Sequence, residues 1–167
     1  MNRLHLGAAG ALVAVLAIAG CGGGGSSSKQ STKTTTTKPA AAKRAAATVS
    51  VRSTKLGPIL VDAQGRTLYL FEADKTSKST CDGACASAWP PLAVTGMPTA
   101  GTGVKASLLG TSKRADGTIE VTYAGHPLYG YAGDAAPGDT TGQGLDQFGA
   151  EWYVLNAAGH KVEHDGS

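Results

Sequence analysis

Residues Ile59–Asp74 read ILVDAQGRTLYLFEAD, and residues Ile119–Asp134 read IEVTYAGHPLYGYAGD. Laid over one another at a constant spacing of 60 residues, they share Ile59/Ile119, Val61/Val121, Gly65/Gly125, Leu68/Leu128, Tyr69/Tyr129 and Asp74/Asp134, and Phe71 is matched by Tyr131. A tryptophan follows each copy, Trp89 in WPPL and Trp152 in WYVL. So many matches in one register mark an internal duplication, which governs how the rest of the chain is read. Repeat 1 covers about residues 56–95 and repeat 2 about 116–156.

Each copy has the pattern of a β-hairpin. In the first, apolar and β-branched residues run to Asp62, AQGR turns and TLYLF returns; Gly65 supplies the positive φ of a tight turn. In the second, TIEVTY alternates with period two, AGH turns and PLYGY returns. Pro127 lacks an N–H and is confined to the start or the edge of its strand. A third hairpin is expected in EWYVLNAAGHKVE, turning at Asn156–Gly159, and TVSVRS near residue 50 alternates and can join the first. CDGACASAW is the best candidate for a helical turn, and no long amphipathic helix is present. The expected fold is mainly β: a small antiparallel β domain built from two pseudo-repeats of β-hairpins, arranged as a small sandwich or a pair of packed sheets.

A signal peptide and a disordered linker are expected ahead of it. Arg3 and His5 precede an apolar stretch from Leu6 to Ala19, which is short for a membrane span and has the form of a secretory signal, residues 1–20. The stretch ends in Ile18-Ala19-Gly20-Cys21, which resembles the lipobox of bacterial lipoproteins, where the cysteine thiol takes diacylglycerol. Residues 21–48, beginning at the lipidated Cys21, are Gly, Ser, Thr, Lys and Ala without apolar periodicity, the composition of a tether. The remaining residues, 49–167, form one domain. The net charge of +3 hides an asymmetry: from Thr48 onward nine Lys and Arg face twelve Asp and Glu, a balance of −3. An acidic domain disfavours nucleic acid as a partner. The expected partners are the membrane, through the anchor on its extracytoplasmic face, and an unknown envelope component.

The chain resembles the bacterial lipoproteins grouped as a secreted repeat of unknown function, marked by a Tyr-x-(Phe/Trp/Tyr)-x-x-Asp motif. The motif stands here as Tyr69-Leu70-Phe71-Glu72-Ala73-Asp74 and again as Tyr129-Gly130-Tyr131-Ala132-Gly133-Asp134. The resemblance implies an envelope location and a repeated β unit; it implies no activity. Within the motif the aromatics are two apart and share one strand face. They suit either core packing, with each aspartate taking hydrogen bonds in an Asx-type turn, or an aromatic platform with a carboxylate for a sugar or other small ligand.

Cys81 and Cys85 are an even pair in an exported chain, so a disulfide is expected, with Trp89 and the prolines pinning the stapled segment to the sheet. The alternative is a thiol-redox or copper site on the same sulfurs, with His126, His160 and His164 as further ligands. Asp134, Asp139 and Asp146 lie in a glycine-rich loop that offers calcium several oxygens without the spacing of a calcium-binding helix-loop-helix. No resident cofactor is expected. Known hydrolase, phosphate-loop and zinc-protease signatures are missing, and the reading leans away from an enzyme.

Overall fold

The computed structural model describes residues 46–163. The expected signal peptide, the lipid-attachment residue Cys21, most of the tether and the tail with His164 lie outside the described residues. The fold begins with β1 (Thr48–Thr54), one residue ahead of the expected domain boundary. It runs through β2 (Gly57–Val61), β3 (Tyr69–Phe71), the helical turn α1 (Ala84–Ala88), β4 (Ala93–Val94) and β5 (Thr99–Ala100). After a 3-10 turn at Ala106–Leu108 come β6 (Leu109–Lys113), β7 (Ile119–Tyr123), β8 (His126–Pro127), β9 (Leu145–Gln147) and β10 (Ala150–Val154).

The mainly β, antiparallel fold with two repeats agrees with the sequence. The layers do not: instead of two sheets, the described residues form three small ones, in the orders β2-β1-β5, β3-β10-β9 and β4-β7-β6, with β8 also on β7. One pair, β1 with β5, is parallel. The expected third hairpin closes where Asn156 N–H donates to His160 C=O, next to the Leu155–Lys161 bridge.

The pairing crosses between the repeats. β4 of repeat 1 lies on β7 of repeat 2, and β10 of repeat 2 lies on β3 of repeat 1. The flanking backbone repeats the exchange: Leu60 N–H donates to Leu155 C=O and Val121 N–H to Leu92 C=O, each at 2.9 Å. At the centre Tyr69 and Tyr129 bond one another twice, at 2.8 and 3.0 Å. A reciprocal pair of this kind is what a twofold axis between two equivalent strands produces. Each repeat therefore completes the other's sheet.

The constant spacing of 60 residues holds from the hairpin turn onward and shifts by one before it. Val61 is bridged to Thr67, whereas the matching bridge of repeat 2 uses Thr122 and Pro127, so Val61 is equivalent to Thr122 and Leu60 to Val121. The two turns differ in length. Ala124 (φ 51) and Gly125 (φ 86) make a two-residue turn with both central residues left-handed. The first hairpin needs a longer loop, in which Asp62 N–H donates to Arg66 C=O and Asp62 Oδ1 accepts from Gln64 and Arg66 N–H.

Strand alternation feeds two cores. Leu60, Leu68, Leu70, Val121, Leu128 and Leu155 join one aliphatic cluster, while their neighbours Ile59, Tyr69, Phe71, Tyr129 and Val154 join a second cluster with Trp89, Trp152 and the cysteines. β3 is buried at every position because both its faces meet a core.

Candidate functional site

The six motif residues gather around the central strand pair and serve the opposite repeat. Tyr69 Oη donates to Asp134 Oδ2 at 2.8 Å, and Tyr129 Oη donates to Asp74 Oδ2 at 2.6 Å. The remaining oxygen of each aspartate closes the following loop. Asp74 Oδ1 accepts from Thr80 N–H and Oγ1, both at 2.7 Å; Asp134 Oδ1 accepts from Thr141 N–H at 3.0 Å and Oγ1 at 2.6 Å. The carboxylates therefore do not cap a local Asx turn, as the sequence suggested; each clamps a threonine six or seven residues ahead and a tyrosine of the other copy. Burial, with the nearby carboxylate adding to it, pushes both tyrosine pKa values well above their ordinary range.

The second aromatic of each motif stacks on a tryptophan. Phe71 lies 4.1 Å from Trp152, Trp152 lies 3.9 Å from Trp89, and Trp89 lies 4.2 Å from Tyr131, ring centroid to centroid. The result is one column, Phe71–Trp152–Trp89–Tyr131, symmetric about its midpoint. Tyr69 meets Trp89 edge-on at 5.3 Å and Tyr129 meets Trp152 edge-on at 5.2 Å, a favoured aromatic geometry. Trp89, Trp152, Tyr69 and Tyr129 have no exposure. The rings form no exposed platform; Tyr131 alone is partly exposed, and Gly133 packs against its ring. Gly142 shows how closely the column is fitted: a Cβ there would stand 2.7 Å from Trp89 and 3.0 Å from Tyr69.

Two clefts flank this centre at equivalent positions. One, of about 230 Å³, is bordered by Gly130, Tyr131 and Asp134 with Arg66 and Pro90. The other, of about 390 Å³, is bordered by Leu70, Phe71 and Asp74 with His126 and His160. The same motif positions line both, and Arg66 stands where His126 stands in the other copy. Burial lowers the His126 pKa and favours its neutral ring.

Cys81 and Cys85 are joined in a disulfide, with Cα atoms 5.2 Å apart and exposures of 1% and 6%. α1 carries Cys85 and ends where Trp89 N–H donates to Cys85 C=O at 2.7 Å, which ties the staple to the column. Arg114 grips the other end of the loop. Its guanidinium donates to Cys81 C=O at 2.5 Å, Ser79 Oγ at 2.5 Å and Glu120 Oε2 at 2.9 Å, and Ser79 also bonds Tyr129 Oη. The Arg114–Glu120 pair is buried, with side-chain exposures of 1% and 0%. Burial pushes the Glu120 pKa up while Arg114 pulls it back.

The calcium candidates are scattered. Asp134 is engaged as above, Asp139 Oδ2 accepts from Ala136 N–H, and Asp146 sits on β9. Among the described residues no three His, Cys, Asp or Glu side chains are placed to hold a metal ion. Sequence reasoning missed Thr80, Thr141, Ser79, Arg114, Glu120 and Gln147. The signal for the threonines was present, as Ser79-Thr80 and Thr140-Thr141 follow the two motifs, but their spacing differs by one residue.

A family model described as a secreted repeat of unknown function matches twice, over residues 50–93 and 110–156. Both matches start earlier than the repeat bounds read from the sequence and so take in β1 and β6, the first strand of each copy. No curated protein and no solved structure matches the chain.

Proposed function

Because the chain belongs to the family of secreted repeats of unknown function, which implies export, we propose that it is a lipid-anchored, non-catalytic binding or structural module of the bacterial cell envelope. Cys21 is the anchoring residue, and the tether of residues 21–48 spaces the domain from the extracytoplasmic face of the membrane. Two acyl chains hold a protein stably on a bilayer.

One observation supports the non-catalytic role. The duplicated polar groups, Tyr69 with Asp134 and Tyr129 with Asp74, are buried and engaged with one another across the repeats. A carboxylate that already accepts from a tyrosine and twice from a threonine has its hydrogen-bonding capacity directed inward, which suits a scaffold more than proton transfer to a substrate. The bonded, buried Cys81–Cys85 pair supports a staple in the same scaffold.

Fractionation of cells producing the full-length chain tests the location. The protein is expected in the membrane fraction, released by detergent and not by high salt, and Cys21→Ser is expected to move it to the soluble exported fraction. A wild-type chain found soluble, or a Cys21→Ser chain that stays on the membrane, would refute the anchor.

A further inference from the structure

The hairpin β9–β10 ends in a combination that folding alone does not favour. Gln147 lies opposite Ala150, so Phe148 and Gly149 form a two-residue turn. Both have positive φ, 60° at Phe148 and 90° at Gly149. A turn of this type prefers Asn-Gly, and a bulky aromatic in the left-handed region is an outlier with a strained backbone. Among the described residues Phe148 and Met97 are the exposed large hydrophobics, with Phe148 half exposed.

The strained turn is held on a rigid support. Gln147, immediately before it, accepts from both central tryptophans: Trp89 Nε1 donates to its side-chain Oε1 at 3.0 Å and Trp152 Nε1 to its backbone carbonyl at 3.1 Å. The tip is thus wired to the middle of the aromatic column. Beside it, Asp146 and Glu151 stand directly opposite each other on the two strands, both exposed. Like charges at facing positions oppose strand pairing. Among the described residues neither takes part in an ion pair. Glu151 Oε2 accepts from Tyr153 Oη at 2.9 Å, a neutral donor that leaves its charge in place, whereas the neighbouring Glu72 carboxylate is paired with Lys161 at 2.9 Å.

We infer that this tip is a docking surface for a partner protein presenting an apolar pocket rimmed by Lys or Arg. The pocket takes the Phe148 ring, and the rim neutralises Asp146 and Glu151. A preorganised aromatic beside uncompensated charge is the form of an interface anchor, because little ordering remains to be done on binding. An anionic bilayer is the poorer occupant, as both carboxylates would face its headgroups. The inference rests on the envelope-module reading and gives that module its binding face.

The test places a photoreactive benzoylphenylalanine at position 148, or at 97 as a control, in the full-length chain in exporting cells. The expected result is a discrete protein adduct from 148 whose cross-linked segment carries Lys or Arg. The adduct should fall at least about tenfold from position 97, and equally in the Asp146→Lys/Glu151→Lys background. In parallel, Phe148→Asn in the detergent-extracted chain should raise Tm by about 3–6 °C by relieving the turn. Adducts to lipid alone, adducts equal at both positions, adducts indifferent to charge reversal, or a lowered Tm in Phe148→Asn would each overturn the inference. Fractionation of the same cells separates the two ideas. A chain that stays on the membrane without the adduct loses only its docking tip, whereas a soluble wild-type chain removes the envelope reading itself.

Discussion

The two repeats are alike where they touch each other and unlike where they do not. At the contact, tyrosine answers tyrosine, aspartate answers aspartate, and tryptophan stacks on tryptophan. Between the motif and the tryptophan the copies part. Repeat 1 has a disulfide-stapled helical turn, and repeat 2 has the β9–β10 hairpin with its exposed phenylalanine. They also differ on the outer hairpin: Thr54 and Ile59 of repeat 1 stand where repeat 2 has Arg114 and Glu120. A residue on the symmetry axis must suit both copies at once, because each copy is the other's environment. Residues off the axis answer to separate surroundings and are free to diverge.

The strongest way to break this comparison is at the buried charge. Glu120→Ala leaves the Arg114 guanidinium buried without its carboxylate and is expected to destabilise the fold by about 3–5 kcal/mol, measured by urea unfolding. Writing the residues of repeat 1 into repeat 2, as Arg114→Thr with Glu120→Ile, should recover part of that loss, because no charge is then left unpaired, while the Cys81 carbonyl and Ser79 lose their Arg114 donor. If the double variant is as damaged as the single one, the ion pair supports the fold in a way the uncharged pair of repeat 1 does not.

A smaller effect is expected at the staple. Cys81→Ala with Cys85→Ala removes a short closed loop, worth about 2 kcal/mol by chain entropy. Hydrogen exchange should quicken across residues 79–89 and stay unchanged in β9 and β10. Equal loosening of both regions would show that the two segments are coupled through the column rather than independent.

The gentlest probe is alkaline pH. Tyr69 and Tyr129 have raised folded pKa values, so the folded state keeps protons that the unfolded state gives up. The stability they contribute is whole below the ordinary tyrosine value of 10.0 and falls as pH rises beyond it. The slope is about 1.4 kcal/mol per pH unit for each tyrosine. Tyr69→Phe and Tyr129→Phe should each remove one such slope, by equal amounts if the axis is as symmetric as its distances.

Much of this was legible before the structure. The repeat showed in one register, Gly65 and Gly125 marked their turns, and the four-residue separation of Cys81 and Cys85 suited a bond across one turn. The exchange of strands was not legible, because a match between Trp89 and Trp152 reports likeness and carries no statement of contact. Glu120 was hidden for a related reason. In TIEVTY an alternating charge reads as the solvent face, and only the arrival of Arg114 and the Cys81 carbonyl from elsewhere makes that face an interior. The one-residue slip before the hairpin turn escaped because Ile59/Ile119 and Val61/Val121 match by identity while the strands pair by turn length.

The crossed strands bear on how such a chain could have arisen. A single repeat, cut free, would carry a bare tryptophan segment and an uncovered hairpin, each complementary to the other's counterpart on a second molecule. Two identical half-length chains would close around one another with the same Tyr–Asp handshakes. The connection between Val94 and Leu109 ties the two halves and also lends β5 to the sheet of β1, and halves so tied no longer have to be identical to close around one another.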